Sequence, residues 1–212
     1  MTAKKQSHAM GVLRAIFAAS LSGIDALSYG QAVTVPDRVD TEAQVYQDGG
    51  RYTACGIGIH AAVGLPSGVV PPHAIRAYDF SVSLARHPDV KVGIMVSATT
   101  TNYVAAQSGY KERSSKAPLG LAFGLDGHHA PIAVVQLAAG KTPGSFLGSI
   151  RDQEGFDVFG TLISETPLLV FFKMSEDGTD NPALRLTAQL KADDRAALKL
   201  CVDALTSAVA GK

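Results

Sequence analysis

Thr53-Ala54-Cys55-Gly56-Ile57-Gly58-Ile59 alternates bulky and small side chains at every second position. That period belongs to a strand with one face toward a core, and the surrounding run predicts a strand over Tyr52 to Ala61. Cys55 stands on its bulky side. The only other cysteine, Cys201, lies far along the chain in Ala192 to Ala210, where Ala197, Leu200, Cys201, Ala204, Leu205, Ala208 and Val209 recur at helical spacing. Asp193 or Asp194 is placed to cap that helix, and Gly211 to end it. A Cys55–Cys201 disulfide would tie the strand to the helix that covers it, and the covered face would then hold Cys55, Ile57 and Ile59. Two buried free thiols are the alternative, since cysteine is a common small core residue.

Further strands follow from the same pattern. Ala74 to Ala85 sets Tyr78, Phe80, Val82 and Leu84 against Asp79, Ser81 and Ser83. After a turn at Arg86-His87-Pro88-Asp89, Val90, Val92, Ile94, Val96 and Ala98 alternate with Lys91, Gly93, Met95 and Ser97. These two runs predict a hairpin. A second hairpin is expected from Leu119 to Leu125 and Pro131 to Ala139, turning at Asp126-Gly127-His128-His129. A third joins Phe156 to Ile163 with Leu168 to Met174, and Ala183 to Leu190 forms a last strand. Val33 to Arg51 reads as extended or irregular chain, Ala105 to Ala117 as an exposed loop, and Gly140 to Glu154 as a long connection. The expected class is α+β: a predominantly antiparallel sheet, strongly coiled or partly closed, with the C-terminal helix packed on one face. Division of the strands into two packed sheets is the competing arrangement.

The opposite face carries Gly56, Gly58 and His60, then Gly93, Met95 and Ser97, then Gly120, Ala122 and Gly124. Glycine within strands marks curvature, a bulge or the close approach of another group. Tight coiling, a shallow partner surface and a cavity for an apolar ligand all fit that composition.

Residues 1–32 have the layout of a secretory signal. Lys4, Lys5 and Arg14 precede the short apolar stretch Ala15 to Ile24, and Gly30-Gln31-Ala32 offers small residues for cleavage. Ser20, Ser22, Gly23 and Asp25 dilute the pattern, and a disordered leader is the alternative. Residues 33–212 are expected to form one β-rich domain, periplasmic or secreted, in keeping with the cysteine pair. The chain has 19 basic and 19 acidic residues. A balance so near neutral, with no basic run, argues against nucleic acid as a partner. No apolar stretch beyond the leader is long enough to span a membrane.

Chemistry leaves a thinner trace. There is no Gly-x-Ser-x-Gly elbow, phosphate loop, His-Glu-x-x-His or Cys-x-x-Cys, and no cofactor is expected. His128 and His129 beside Asp126 form the one local cluster resembling a metal site, and it would need His60, His73 or another ligand from elsewhere. Thr99, Thr101 and Tyr103 lead toward Tyr110 and Arg113, a set of hydroxyls, phenols and a guanidinium suited to a carboxylate, a glycan or a peptide edge. The candidate ligand-binding residues are therefore Thr99, Thr101, Tyr103, Tyr110, Arg113, Asp126, His128 and His129, all on loops or strand ends where recognition concentrates. The expected function is a non-catalytic exported domain that binds an envelope protein, a glycan or a small apolar ligand. A hydrolase assembled on the loops and a domain that self-associates through the small-residue face are the alternatives.

Overall fold

In the computed structural model, description covers residues 32–64, 74–86, 92–140 and 144–210 of the unit Gln31–Lys212. Residues 1–31, 65–73 with His73, 87–91, 141–143 and 211–212 lie outside the described residues, and with them the expected leader, most of the expected turn Arg86 to Asp89 and the helix-ending Gly211.

The elements run β1 (Val33–Thr34), β2 (Arg38–Asp48), β3 (Arg51–Gly64), β4 (Ile75–Ala85), β5 (Gly93–Ala106), β6 (Gly109–Lys116) and β7 (Gly120–Gly124). They continue through β8 (Ile132–Ala133), β9 (Val135–Ala139), β10 (Phe146–Ile150), α1 (Asp152–Ile163), β11 (Leu168–Lys173), β12 (Ala183–Leu186) and α2 (Ala192–Ala210). They build two open sheets rather than one. The large sheet has the order β2-β3-β4-β5-β10-β9, with β6 also on β5, and the small sheet has the order β1-β12-β11-β7-β8. All pairings are antiparallel except that of β1 with β12.

Alternation along β3, β4 and β5 sets one face of the large sheet inward. Cys55, Ile57 and Ile59 are fully buried, as are Val82 and Val96. Three structures cover that face. Helix α2 lies on β2 and β3, α1 lies on β4, β5 and β10, and the small sheet packs on the middle. Aromatic rings mark the last contact: Tyr78 meets Phe172 with centroids 4.8 Å apart, and Phe80 stands 6.2 Å from Phe123. Burying a ring of this kind contributes roughly 1.5–3 kcal/mol. The disulfide is formed, Cys55 to Cys201, with Cα atoms 5.8 Å apart, and it joins β3 to α2.

Several expectations are corrected. Phe156 to Ile163 belongs to helix α1, whose inward side is Gly155, Val158, Phe159 and Leu162, a spacing of three and four residues. Phe156 and Val158 imitate a strand's alternation, but Phe156 stays outside. Ala105 to Ala117 is mostly strand β6, and Gly140 to Glu154 contains β10 and the start of α1. The lead-in from Val33 holds β1 and the long β2. A two-residue turn joins β2 to β3: Asp48 pairs with Arg51, and Gly49 and Gly50 both have positive φ, at 54° and 76°. Two left-handed residues suit a turn that follows the right-handed twist of its strands.

Pro131 to Ala139 is split between the sheets. Ile132 and Ala133 pair with Phe123 and Ala122 as expected of a hairpin, but beyond Val134 the chain pairs with β10 in the other sheet. The last strand ends at Leu186 rather than Leu190. Helix α2 has the expected bounds, but its buried stripe is Leu198, Cys201 and Leu205, while Ala197 and Leu200 face solvent. Asp193 and Asp194 lie inside its first turn rather than at the cap, where they favour the positive end of the helix dipole.

Candidate functional site

The outer face of the large sheet gathers most of the polar chemistry. Register places Asp40, His60, Asp79 and Thr99 in one row across β2, β3, β4 and β5. Nδ1 of His60 lies 2.7 Å from Asp79 Oδ1, and Nε2 lies 3.7 Å from Glu42 Oε1. The hydrogen bond to Asp79 is the main reason the imidazole pKa is raised above its ordinary value, with partial burial opposing and Glu42 assisting. Asp40 is held by Arg38, 2.5 Å away. In the next row Ser81 and Ser97 share a hydrogen bond of 2.8 Å.

The glycines of this face make room for their neighbours. A Cβ on Gly56 would fall 2.1 Å from Ser83 Oγ, and one on Gly58 would fall 2.5 Å from Gln44 Nε2. Side chains from β4 and β2 therefore lie across β3.

Thr99, Thr101 and Tyr103 are on the same outer face, and β6 extends it. Register sets Thr101 opposite Ser115, Tyr103 opposite Glu112 and Ala105 opposite Tyr110, with Arg113 the extra residue of a bulge. The two threonine hydroxyls are engaged within the protein: Thr99 donates to the Gly144 carbonyl at 2.9 Å, and Thr101 is 2.8 Å from Ser115 Oγ. They hold the base of the ribbon formed by β5 and β6. Its exposed groups are different ones. All eight residues of β6 face solvent, including Tyr110, Lys111, Arg113 and Lys116.

Asp126, His128 and His129 stand elsewhere, on the turn between β7 and β8 of the small sheet. The turn is closed by His128 N–H donating to the Leu125 carbonyl, and Gly127 takes the positive φ of 87° that such a turn requires. His128 Nε2 lies 3.8 Å from Asp157 of α1. Among the described residues, no group of three or more His, Cys, Asp or Glu side chains is arranged to hold a metal ion.

Sequence reasoning reached Thr99, Thr101, Tyr103, Tyr110 and Arg113 as one group; the structure strings them along β5 and β6, with Thr99 and Thr101 bonded within the protein at one end and Tyr110 opposite Ala105 near the other. Sequence reasoning missed the pairing of His60 with Asp79. Both residues lay within recognised alternating runs, and the missing quantity was the register between them, which alternation within each run does not reveal.

No protein-family model, curated protein or solved structure matches the chain. Among the described residues, no helix is long and apolar enough to cross a membrane.

Proposed function

We propose that this chain is an exported, non-catalytic binding domain, periplasmic or secreted, which engages an anionic component of the cell envelope through the β5–β6 ribbon. One observation carries the reading. Strand β6 is eight residues long and every one of them is exposed. A strand with no buried side chain adds little to a core, and past Tyr103, where β4 stops, β5 and β6 run on as a two-stranded ribbon of the kind that is marginal in water by itself. Side-chain bonds nevertheless hold it in place, from Thr101 to Ser115, Asn102 to Ser114 and Ser115 to Glu112. Its surface offers three cations, Lys111, Arg113 and Lys116, against the single carboxylate of Glu112, with Tyr110 56% exposed beside them. Arginine and tyrosine are the side chains that most often anchor an interface.

Export is supported by the layout of residues 1–32 and by the disulfide, a bond that persists in oxidising compartments. The non-catalytic reading is supported by His60, the best-placed base on the outer face. Both its ring nitrogens are directed to carboxylates, Asp79 and Glu42, rather than one to a hydroxyl nucleophile.

The test is biolayer interferometry of the full chain on immobilised polyuronate and polyglutamate, with Tyr110→Ala/Arg113→Ala alongside. The double variant alters exposed groups and should melt as the wild type does. Its affinity is expected to fall about tenfold or more, a loss of about 1.4 kcal/mol. Equal binding by both proteins would remove the ribbon from the reading, and cleavage of the polyuronate would replace it with the hydrolase.

A further inference from the structure

The open edge of β6 has a shape and a charge that narrow the choice of partner. Strand β4 runs along one side of β5 for its first eleven residues. Two strands share the other side end to end: β10 against Ile94 to Ala98, and β6 against Thr100 to Ala106. The Thr99 hydroxyl bonded to Gly144 marks the junction, and Gly144 itself packs on the Ser115 carbonyl. Beyond β10 the sheet continues into β9. Beyond β6, among the described residues, it continues into nothing. Among the described residues the sheet therefore ends in a step, with one row half filled by β9 and its other half unoccupied beside β6.

An antiparallel strand points alternate pairs of N–H and C=O groups away from its partner, so this edge is a template for another strand. The remaining edges are less suited. Strands β1 and β8 are two residues long. Strand β2 carries Asp40, Glu42 and Asp48 against the single cation Arg38, so its edge repels an acidic strand. Strand β9 is five residues without charge.

Charge then selects the occupant. Lys111, Arg113 and Lys116 oppose a second copy of β6, because antiparallel self-pairing would set cation near cation. The same residues attract carboxylates. We infer that the open edge of β6 takes up an extended, acidic peptide segment as an added strand, completing the row that β9 begins. The inference rests on the binding reading above and names the partner for the same ribbon. In this mode main-chain hydrogen bonds supply affinity and side-chain charge supplies selection.

The experiment is a fluorescence-anisotropy titration of the full chain with a labelled octapeptide that alternates glutamate and threonine. Two further peptides carry N-methyl groups on alternate amides, one set for each edge of the peptide strand. The parent peptide should bind. One methylated set should lose about tenfold or more in affinity while the other keeps it, since only one edge donates to β6. The variant Lys111→Glu/Arg113→Glu/Lys116→Glu should lose binding, with its fold checked by thermal melting. Equal binding of both methylated peptides would overturn the inference, leaving attraction by charge alone. So would a concentration-dependent dimer in which β6 amides become protected from hydrogen exchange, since the occupant would then be a second copy. No binding of the parent peptide, with polyuronate binding intact and sensitive to Tyr110→Ala/Arg113→Ala, would overturn the inference and leave the binding reading standing.

Discussion

His60 illustrates how one residue acquires a property from its neighbours across strands. Its ring is half exposed, yet Asp79 is hydrogen-bonded to it and Glu42 stands nearby. The imidazole pKa is consequently raised above the ordinary 6.5, first by the Asp79 hydrogen bond. Folding therefore makes His60 bind its proton more tightly than the unfolded chain does. The resulting stabilisation is complete below the unfolded value and disappears as pH rises through the folded one. Solvent screening at this exposed site limits it to less than about 1 kcal/mol. NMR titration should find the His60 midpoint above 6.5, and Asp79→Asn should move it down. In urea melts the variant should lose part of the stability gained between pH 8 and pH 6. A midpoint that Asp79→Asn leaves in place would refute the pairing as the cause. In the sequence His60 could be read only as a half-exposed histidine on a small-residue face.

Helix α1 is the element that the sequence concealed most. Arg151 sits at its N-cap without a side-chain cap bond. Its C-terminus closes with backbone bonds from Glu165 to Leu162 and from Thr166 to Thr161, the pattern usually made by glycine in the left-handed position. Here Glu165 takes that position with φ 55°, and its carboxylate is bonded to Arg195 of α2. Two internal glycines weaken the helical signal further, and they have different reasons. A Cβ on Gly155 would meet Ile94 Cγ1 at 2.9 Å, whereas one on Gly160 would meet nothing within 4 Å. Gly155 thus lets α1 approach β5 closely. Gly160→Ala should stabilise the protein by about 0.5–1 kcal/mol through helix propensity alone. Gly155→Ala makes the same local gain, but overpacking costs roughly 1–3 kcal/mol and should prevail. Urea denaturation of the two variants should give shifts of opposite sign; shifts of the same sign would show that α1 does not press on Ile94. Strand β6 escaped notice for the reverse reason. With all its side chains in water, it carries no alternation to read.

Across the whole molecule the disulfide links positions 146 residues apart. It ties β3, at the second place in the large sheet, to the helix that ends the chain. Closing so long a loop restricts the unfolded state by about 4–5 kcal/mol in the chain-entropy model, and removing such bonds costs about 2–5 kcal/mol in practice. Cys55→Ala/Cys201→Ala should lose stability within that range in urea melts. Because both cysteines are fully buried, the disulfide of the native protein should be reduced slowly by an added thiol, and by way of opening. A double variant as stable as the wild type would show that packing of Leu198 and Leu205 alone secures α2. That the two cysteines could meet was legible from the sequence, because each lay on the apolar side of a periodic segment; that they are bonded rather than free thiols came from the structure. Also legible were the inward faces of β3, β4 and β5 and the bounds of α2. Period, hydrophobicity and propensity are local quantities, and they determined where these elements run and which side of the three strands is buried, while the buried stripe of α2 shifted to Leu198, Cys201 and Leu205. The division into two sheets, the row joining His60 to Asp79 and Thr99, and the edge of β6 left without a partner strand among the described residues were decided only by tertiary structure. Each depends on register between distant strands and on where a strand leaves one sheet for another, which are set by contacts that no local stretch of sequence contains.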